Sequence, residues 1–265
     1  MTNSPDTSRK PVTDRWRTLA SDDLTELARG RNEAINLVQW LARIANSYVT
    51  ADDPERRTEL EFHAAEAAFV TKRFGAELSL EMRLPRLEMQ FLENADPVPH
   101  IFDPEEHSPA EVEAWLLVEL LHRGLDREKF SKVLPYEVPG LITGDAEDHS
   151  PQSCQQGLAQ LMAWLQDAAL VLDAAARAVG RENSRIICSP RTLTLSCAPE
   201  LSAKQGAISF SPGDAQNSEP YFYADRGATN GLARNLARPM LKGSELLAQS
   251  GPAAAALRLL ELASG

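Results

Sequence analysis

Cysteine is scarce in this chain: three residues in 265, at Cys154, Cys188 and Cys197. An odd count without a C-x-x-C pair or a Cys/His zinc spacing excludes a disulfide framework and suits a reducing compartment. Cys188 and Cys197 are nine apart, so on one regular strand they would face opposite sides, which argues against a bridge between them. Long apolar runs are missing too. None approaches the roughly 18 residues of a membrane span, and the opening MTNSPDTSRKPVTDRWRT has no apolar core of a signal peptide. Positive charge is in deficit, with 27 Lys and Arg against 38 Asp and Glu and a formal net charge of -11. That balance argues against a nucleic-acid backbone or an anionic membrane surface as partner. Arg234, Arg238 and Lys242, spaced by four, form one basic stripe; Pro239 interrupts it, and it reads as a solvated face. Catalytic signatures are absent as well: there is no nucleophile elbow, phosphate loop or dinucleotide fingerprint. The expectation is a cytoplasmic protein without a nucleic-acid or membrane partner.

What is present is periodicity. Residues 1–22 read as a polar tail, and 23–265 as a single domain. Ile35, Val38, Leu41, Ala42, Ala45 and Tyr48 recur at helical spacing. Residues 59–74 fit either a hairpin or a helix opened by Asp53-Pro54 and closed by Gly75; the alternation around Leu60 and Phe62 favours the hairpin. Leu78, Leu80, Met82 and Leu84 alternate with polar neighbours, and the parity flips after Pro85 to Leu87, Met89 and Phe91, which predicts a turn or bulge at LPRL. Ser108, Pro109 and Glu111 spell a capping box before Val112, Trp115, Leu116 and Leu120. A long helix is predicted from HSPQ at 149–152 to Gly180, then strands over 184–198, GAISF and PYFYA, then a helical tail from about 231 with a restart at Pro252. Strands grouped between helices imply an α+β fold with an antiparallel sheet and flanking helices. The order also suggests two pseudo-repeated α-β-β-α halves, 27–135 and 150–265.

One repeat is visible in letters. DPEEHSP spans 103–109 and DAEDHSP spans 145–151. Both precede a helix, where acidic residues, Ser and Pro are favoured by the helix dipole and by capping. The alternative is a divalent metal site with Asp103, His107, Asp145 and His149 as ligands, and His100 as a further donor.

The densest stretch is FSPGDAQNSEPYFYA, residues 210–224. Pro212-Gly213 predicts a type II turn, Pro220 opens a strand, and Tyr221 and Tyr223 share one face. Ser211, Asp214, Glu219, Tyr221 and Tyr223 are the candidate ligand-binding residues; the same Tyr pair would equally cap a core edge. Ser211, Pro212, Gly213, Asp214 and Glu219 to Tyr223 resemble the carboxy-terminal signature of a family of uncharacterised bacterial proteins. The stretch is also distantly similar to a domain of unknown function that ends in a PEPAFYAYA-like strand. That domain's helix, paired strands and helix resemble residues 31–124 in order. The resemblance implies a bacterial source and no catalytic residue. It breaks after Ala224, where DRGATNG replaces the aromatics and prolines of the relatives.

These readings favour a small-molecule-binding protein with its pocket near that strand. The alternative is a metal-dependent hydrolase built on the Asp/Glu/His clusters, and His63 joins the acid–base candidates. A homo-oligomer fits the same features. A protein–protein module is the third class, with the Ala/Leu-rich tail 253–263 as its surface.

Overall fold

The computed structural model describes residues 24–181, 184–198, 207–225 and 240–247, with positions 254, 255, 258, 259 and 261. The polar tail, Arg234 and Arg238 of the basic stripe, and most of the C-terminal helical tail with its Pro252 lie outside the described residues. In chain order the elements are α1 (Leu24–Tyr48), α2 (Pro54–Thr58), β1 (Leu60–His63), β2 (Ala68–Thr71), β3 (Leu78–Arg83), β4 (Glu88–Glu93), β5 (Asp96–Phe102) and α3 (Pro109–His122). There follow α4 (Gln155–Ala178), β6 (Arg185–Ser189), β7 (Thr194–Ala198), β8 (Ala207–Ser211), β9 (Tyr221–Asp225), β10 (Met240–Lys242) and α5 (Gly243–Leu247).

All ten strands join one antiparallel sheet in the order β10-β9-β8-β7-β6-β1-β2-β3-β4-β5. The fold is therefore α+β, with helices flanking an antiparallel sheet. Residues 59–74 form the β1–β2 hairpin, and α2 is a separate short helix in which Asp53 caps the N–H groups of Glu55 and Arg56. The parity flip at LPRL is the β3–β4 hairpin turn, which contains a cis Leu84–Pro85 bond. It returns Leu80 opposite Phe91 and Met82 opposite Met89, so both apolar sets share one face. Two five-stranded meanders meet at a seam of two residue pairs, Leu60 with Cys188 and Glu61 with Ile187. On each side of the seam the order is long helix, meander, helix.

One sheet face is a continuous apolar row. Phe62, Phe69, Met82, Met89 and Phe102 lie opposite one another across β1 to β5, and Cys188, Leu195, Phe210, Phe222 and Leu241 across β6 to β10. All are buried, and each full burial of this kind stabilises by about 1.5–3 kcal/mol. Helices α1 and α4 cover this face. They cross backbone to backbone at Gly30 and Gly157, where a Cβ on Gly157 would stand 1.8 Å from Glu26 O and one on Gly30 2.4 Å from the Gly157 carbonyl carbon. Helix α3 closes the other end, with Trp115 against Phe91 and Phe102.

The β6–β7 turn alters the geometry expected of the cysteines. Cys188 and Cys197 sit on paired strands rather than on one, and both point into the core as free thiols. Among the described residues no helix is long and apolar enough to cross a membrane.

Candidate functional site

The SPGD…EPYFYA stretch closes on itself. Gly213 has φ +98°, and a Cβ there would meet Ser218 O at 2.6 Å and Arg31 Nη1 at 2.8 Å. Asp214 Oδ1 accepts the N–H groups of Gln216 (2.7 Å) and Asn217 (2.8 Å), and its Oδ2 accepts the Tyr221 hydroxyl at 2.5 Å. Ser211 Oγ accepts the Gly213 N–H, and Arg31 donates to Pro212 O. Burial alone would raise the Asp214 carboxyl, but the Tyr221 hydroxyl and the two backbone donors outweigh it and hold the group below its ordinary value. Glu219 accepts the Ser244 N–H at the start of α5 and pairs with Lys242 at 3.8 Å. Tyr223 packs beside Tyr221, ring centroids 5.8 Å apart. The five residues thus share one corner, with the carboxylates of Asp214 and Glu219 already occupied by protein donors.

The two echo loops are brought together, but as a clasp. Glu106 N–H donates to His149 O, and His149 N–H to His107 O, both at 3.0 Å. Each serine reaches across: Ser108 Oγ donates to Asp145 (2.9 Å) and Ser150 Oγ to Glu105 (3.2 Å). Ser108 completes its capping box on α3. Ser150 makes no side-chain cap; instead Glu105 from the other loop accepts the Gln152 N–H at 2.8 Å. The four expected metal ligands point to separate partners. Asp103 binds Arg86 (2.7 Å), His107 Nδ1 meets Glu105 O, Asp145 accepts from Ser108, and buried His149 meets Glu33 at 3.1 Å. Among the described residues one group of three or more His, Cys, Asp or Glu has its ligand atoms within 4.8 Å of one another, and it is His100, Glu119 and His122.

Three clefts among the described residues differ in how their charges are paired. A cleft of about 290 Å³ beside the clasp is lined by Arg86, Asp103 and Glu105, and Arg86 is paired with Asp103 and Glu88. A second, of about 330 Å³, opens where β1 and β6 diverge beyond the seam. There Glu61 holds Arg185 (2.5 Å) and faces His63 (3.6 Å), and Asp173 holds Arg177 (2.6 Å). The second is internally neutralised, and the first carries more acidic than basic groups, so neither leaves a cation over.

The third cleft, also about 330 Å³, is lined by Trp40, Arg43, Pro109, Glu113, Lys132 and residues 142–144. Sequence reasoning missed it. One stripe of α1 carries Asn36, Gln39 and Arg43 at steps of three and four, then Asn46 and Ser47 three and four beyond Arg43, and the Pro-rich loop after α3 runs back along it. Asn36 accepts the Ile142 N–H, Gln39 accepts the Tyr136 hydroxyl, Asn46 donates to Val133 O and Ser47 accepts the Ser131 N–H. Arg43, in the middle, is the exception. It is 6% exposed, its guanidinium lies over the Trp40 ring at 4.2 Å, its buried Nε has no hydrogen-bond partner, and among the described residues it makes no hydrogen bond or ion pair. Burial lowers its pKa, opposed by Glu113 and Tyr136. Lys132 at the rim is paired with Glu113 at 2.8 Å. A polar stripe on the long first helix was the available sequence signal; that Arg43 would find no partner among the described residues was not.

Compared with known proteins, the chain matches no family model, no curated protein and no solved structure.

Proposed function

We propose that the protein binds a small molecule carrying a carboxylate or phosphate in the Arg43 cleft, rather than against the Tyr221–Tyr223 strand. One observation carries this reading: a largely buried arginine that has no hydrogen bond or ion pair among the described residues lines a cleft of ligand size. Buried charged groups are otherwise paired, because an unpaired one costs several kcal/mol. Stacking on Trp40 holds the guanidinium plane and leaves its N–H edge to meet an anion in bidentate fashion. Lys132 at the rim is paired with Glu113, so Arg43 is the cation left over, and Ile142 and Trp40 offer apolar wall.

The test is a thermal-shift screen of small carboxylates and phosphates on the full chain, followed by calorimetric titration of the best. A saturable rise in Tm with an approximately one-to-one complex, absent in Arg43→Met, is expected. A panel that shifts wild type and Arg43→Met alike, or shifts neither, overturns the proposal.

A further inference from the structure

We propose that His100, Glu119 and His122 form a binding site for a divalent ion of the zinc type. The three side chains come from two elements that the fold brings together at the free edge of the sheet. His100 and Phe102 lie two apart on β5 and so face the same way, towards α3. Phe102 packs on Trp115 with ring centroids 5.0 Å apart. One turn further along α3 is Glu119, and three residues beyond that is His122, on the same face. A register shift between Gln90 and Leu92 takes Val98 to His100 out of regular pairing on β5; such irregularities re-aim side chains at a sheet edge.

The geometry is that of a ligand set. Glu119 Oε1 lies 3.2 Å from His100 Nδ1 and 4.0 Å from His122 Nδ1, and all three ligand atoms lie within 4.8 Å of one another. Atoms held about 2.0–2.1 Å from a tetrahedral zinc stand about 3.3 Å apart, so the preformed triangle needs only a small contraction. The carboxylate is fixed independently. Glu119 is 3% exposed, and its other oxygen is held by Arg123 at 2.5 Å. Arg123 in turn stacks on Phe91 at 4.5 Å and reaches Glu93 at 3.2 Å. A ligating carboxylate oriented by a hydrogen bond behind it is the usual outer support of a metal site. The two imidazoles are exposed, so an ion has a path in and keeps at least one position for water or another ligand. Two His and one carboxylate suit Zn²⁺ and neighbouring first-row ions rather than Mg²⁺ or Ca²⁺, which take oxygen ligands. The three thiols are buried and do not compete. The site is separate from the Arg43 cleft and shares no residue with it.

The experiment is calorimetric titration of the untagged full chain with Zn²⁺, paralleled by Co²⁺ monitored through its visible d–d absorption. Wild type should take up one ion per chain. His100→Ala and His122→Ala should each weaken binding at least tenfold and remove the four-coordinate Co²⁺ spectrum, while His63→Ala leaves both unchanged. Both ligand histidines are exposed, so these variants keep the fold, and circular dichroism verifies it; Glu119 is avoided because its removal would strand buried Arg123. Absence of Zn²⁺ uptake by wild type overturns the proposal. So does uptake that either histidine variant leaves intact.

Discussion

Arg43→Met removes a buried charge and keeps a flexible apolar stem of similar reach. In the unliganded protein the guanidinium is largely desolvated, its Nε is buried without a hydrogen-bond partner, and the effective penalty for a fully buried ion is several kcal/mol. Two terms offset it. Stacking on Trp40 at 4.2 Å contributes about 0.5–2 kcal/mol, and the Glu113 carboxylate, beyond ion-pair distance, adds a weaker attraction. Met retains the packing of the stem and loses both. The balance predicts that the variant is more stable than wild type by about 1–2 kcal/mol when no ligand is present. For a chain of this size that is a Tm rise of about 2–8 °C. Urea denaturation with two spectroscopic probes, at low ionic strength and in a buffer without carboxylate or phosphate, measures it directly. Saturating anion should reverse the order, since ligand at 100 times its Kd adds about 2.7 kcal/mol to wild type and nothing to the variant. Arg43→Lys keeps the charge and loses the planar fork, so it should bind the anion more weakly than wild type. A loss of more than about 1 kcal/mol in ligand-free Arg43→Met would refute the reasoning, because it would show that the charge already has a partner in the fold.

Three other perturbations test the architecture. Gly157→Ala places a methyl group where Glu26 O stands at 1.8 Å, so α1 and α4 must separate; a loss of at least about 3 kcal/mol in chemical denaturation is expected. Glu105→Ala removes the borrowed cap on Gln152 and the Ser150 contact, which predicts a loss of about 1–2 kcal/mol with anion binding unchanged. Asp214→Asn tests the corner by pH. The folded carboxyl titrates below its ordinary value, so its contribution is present above about pH 3.9 and is lost as pH falls through the lower folded value. The stability gap between wild type and Asp214→Asn should therefore be flat from neutral pH to about pH 5 and shrink below about pH 4; a gap that grows on acidification contradicts the assignment.

The α+β class and most of the elements followed from the sequence because their determinants are local. Period-two alternation at Leu78–Leu84, the parity flip after Pro85 and the Ser108 capping box each act over a few residues. The SPGD corner was legible for the same reason, since Gly213 and Asp214 act within one turn. What the tertiary structure decided is where polar groups find partners. The echo loops looked like two separate helix entries, and only their pairing shows Glu105 capping the other loop's helix. His100 and the Glu119–His122 pair lie on different elements, so their approach depends on how α3 packs across β5. Arg43 sits on α1 among residues that could all have found partners; a loop roughly a hundred residues away in sequence from Asn36 supplies them to its neighbours and leaves it without one among the described residues. Sequence specified the elements through short-range sterics and hydrogen bonding. Burial and charge compensation depend on contacts between distant segments, and they select the residues left available for a ligand.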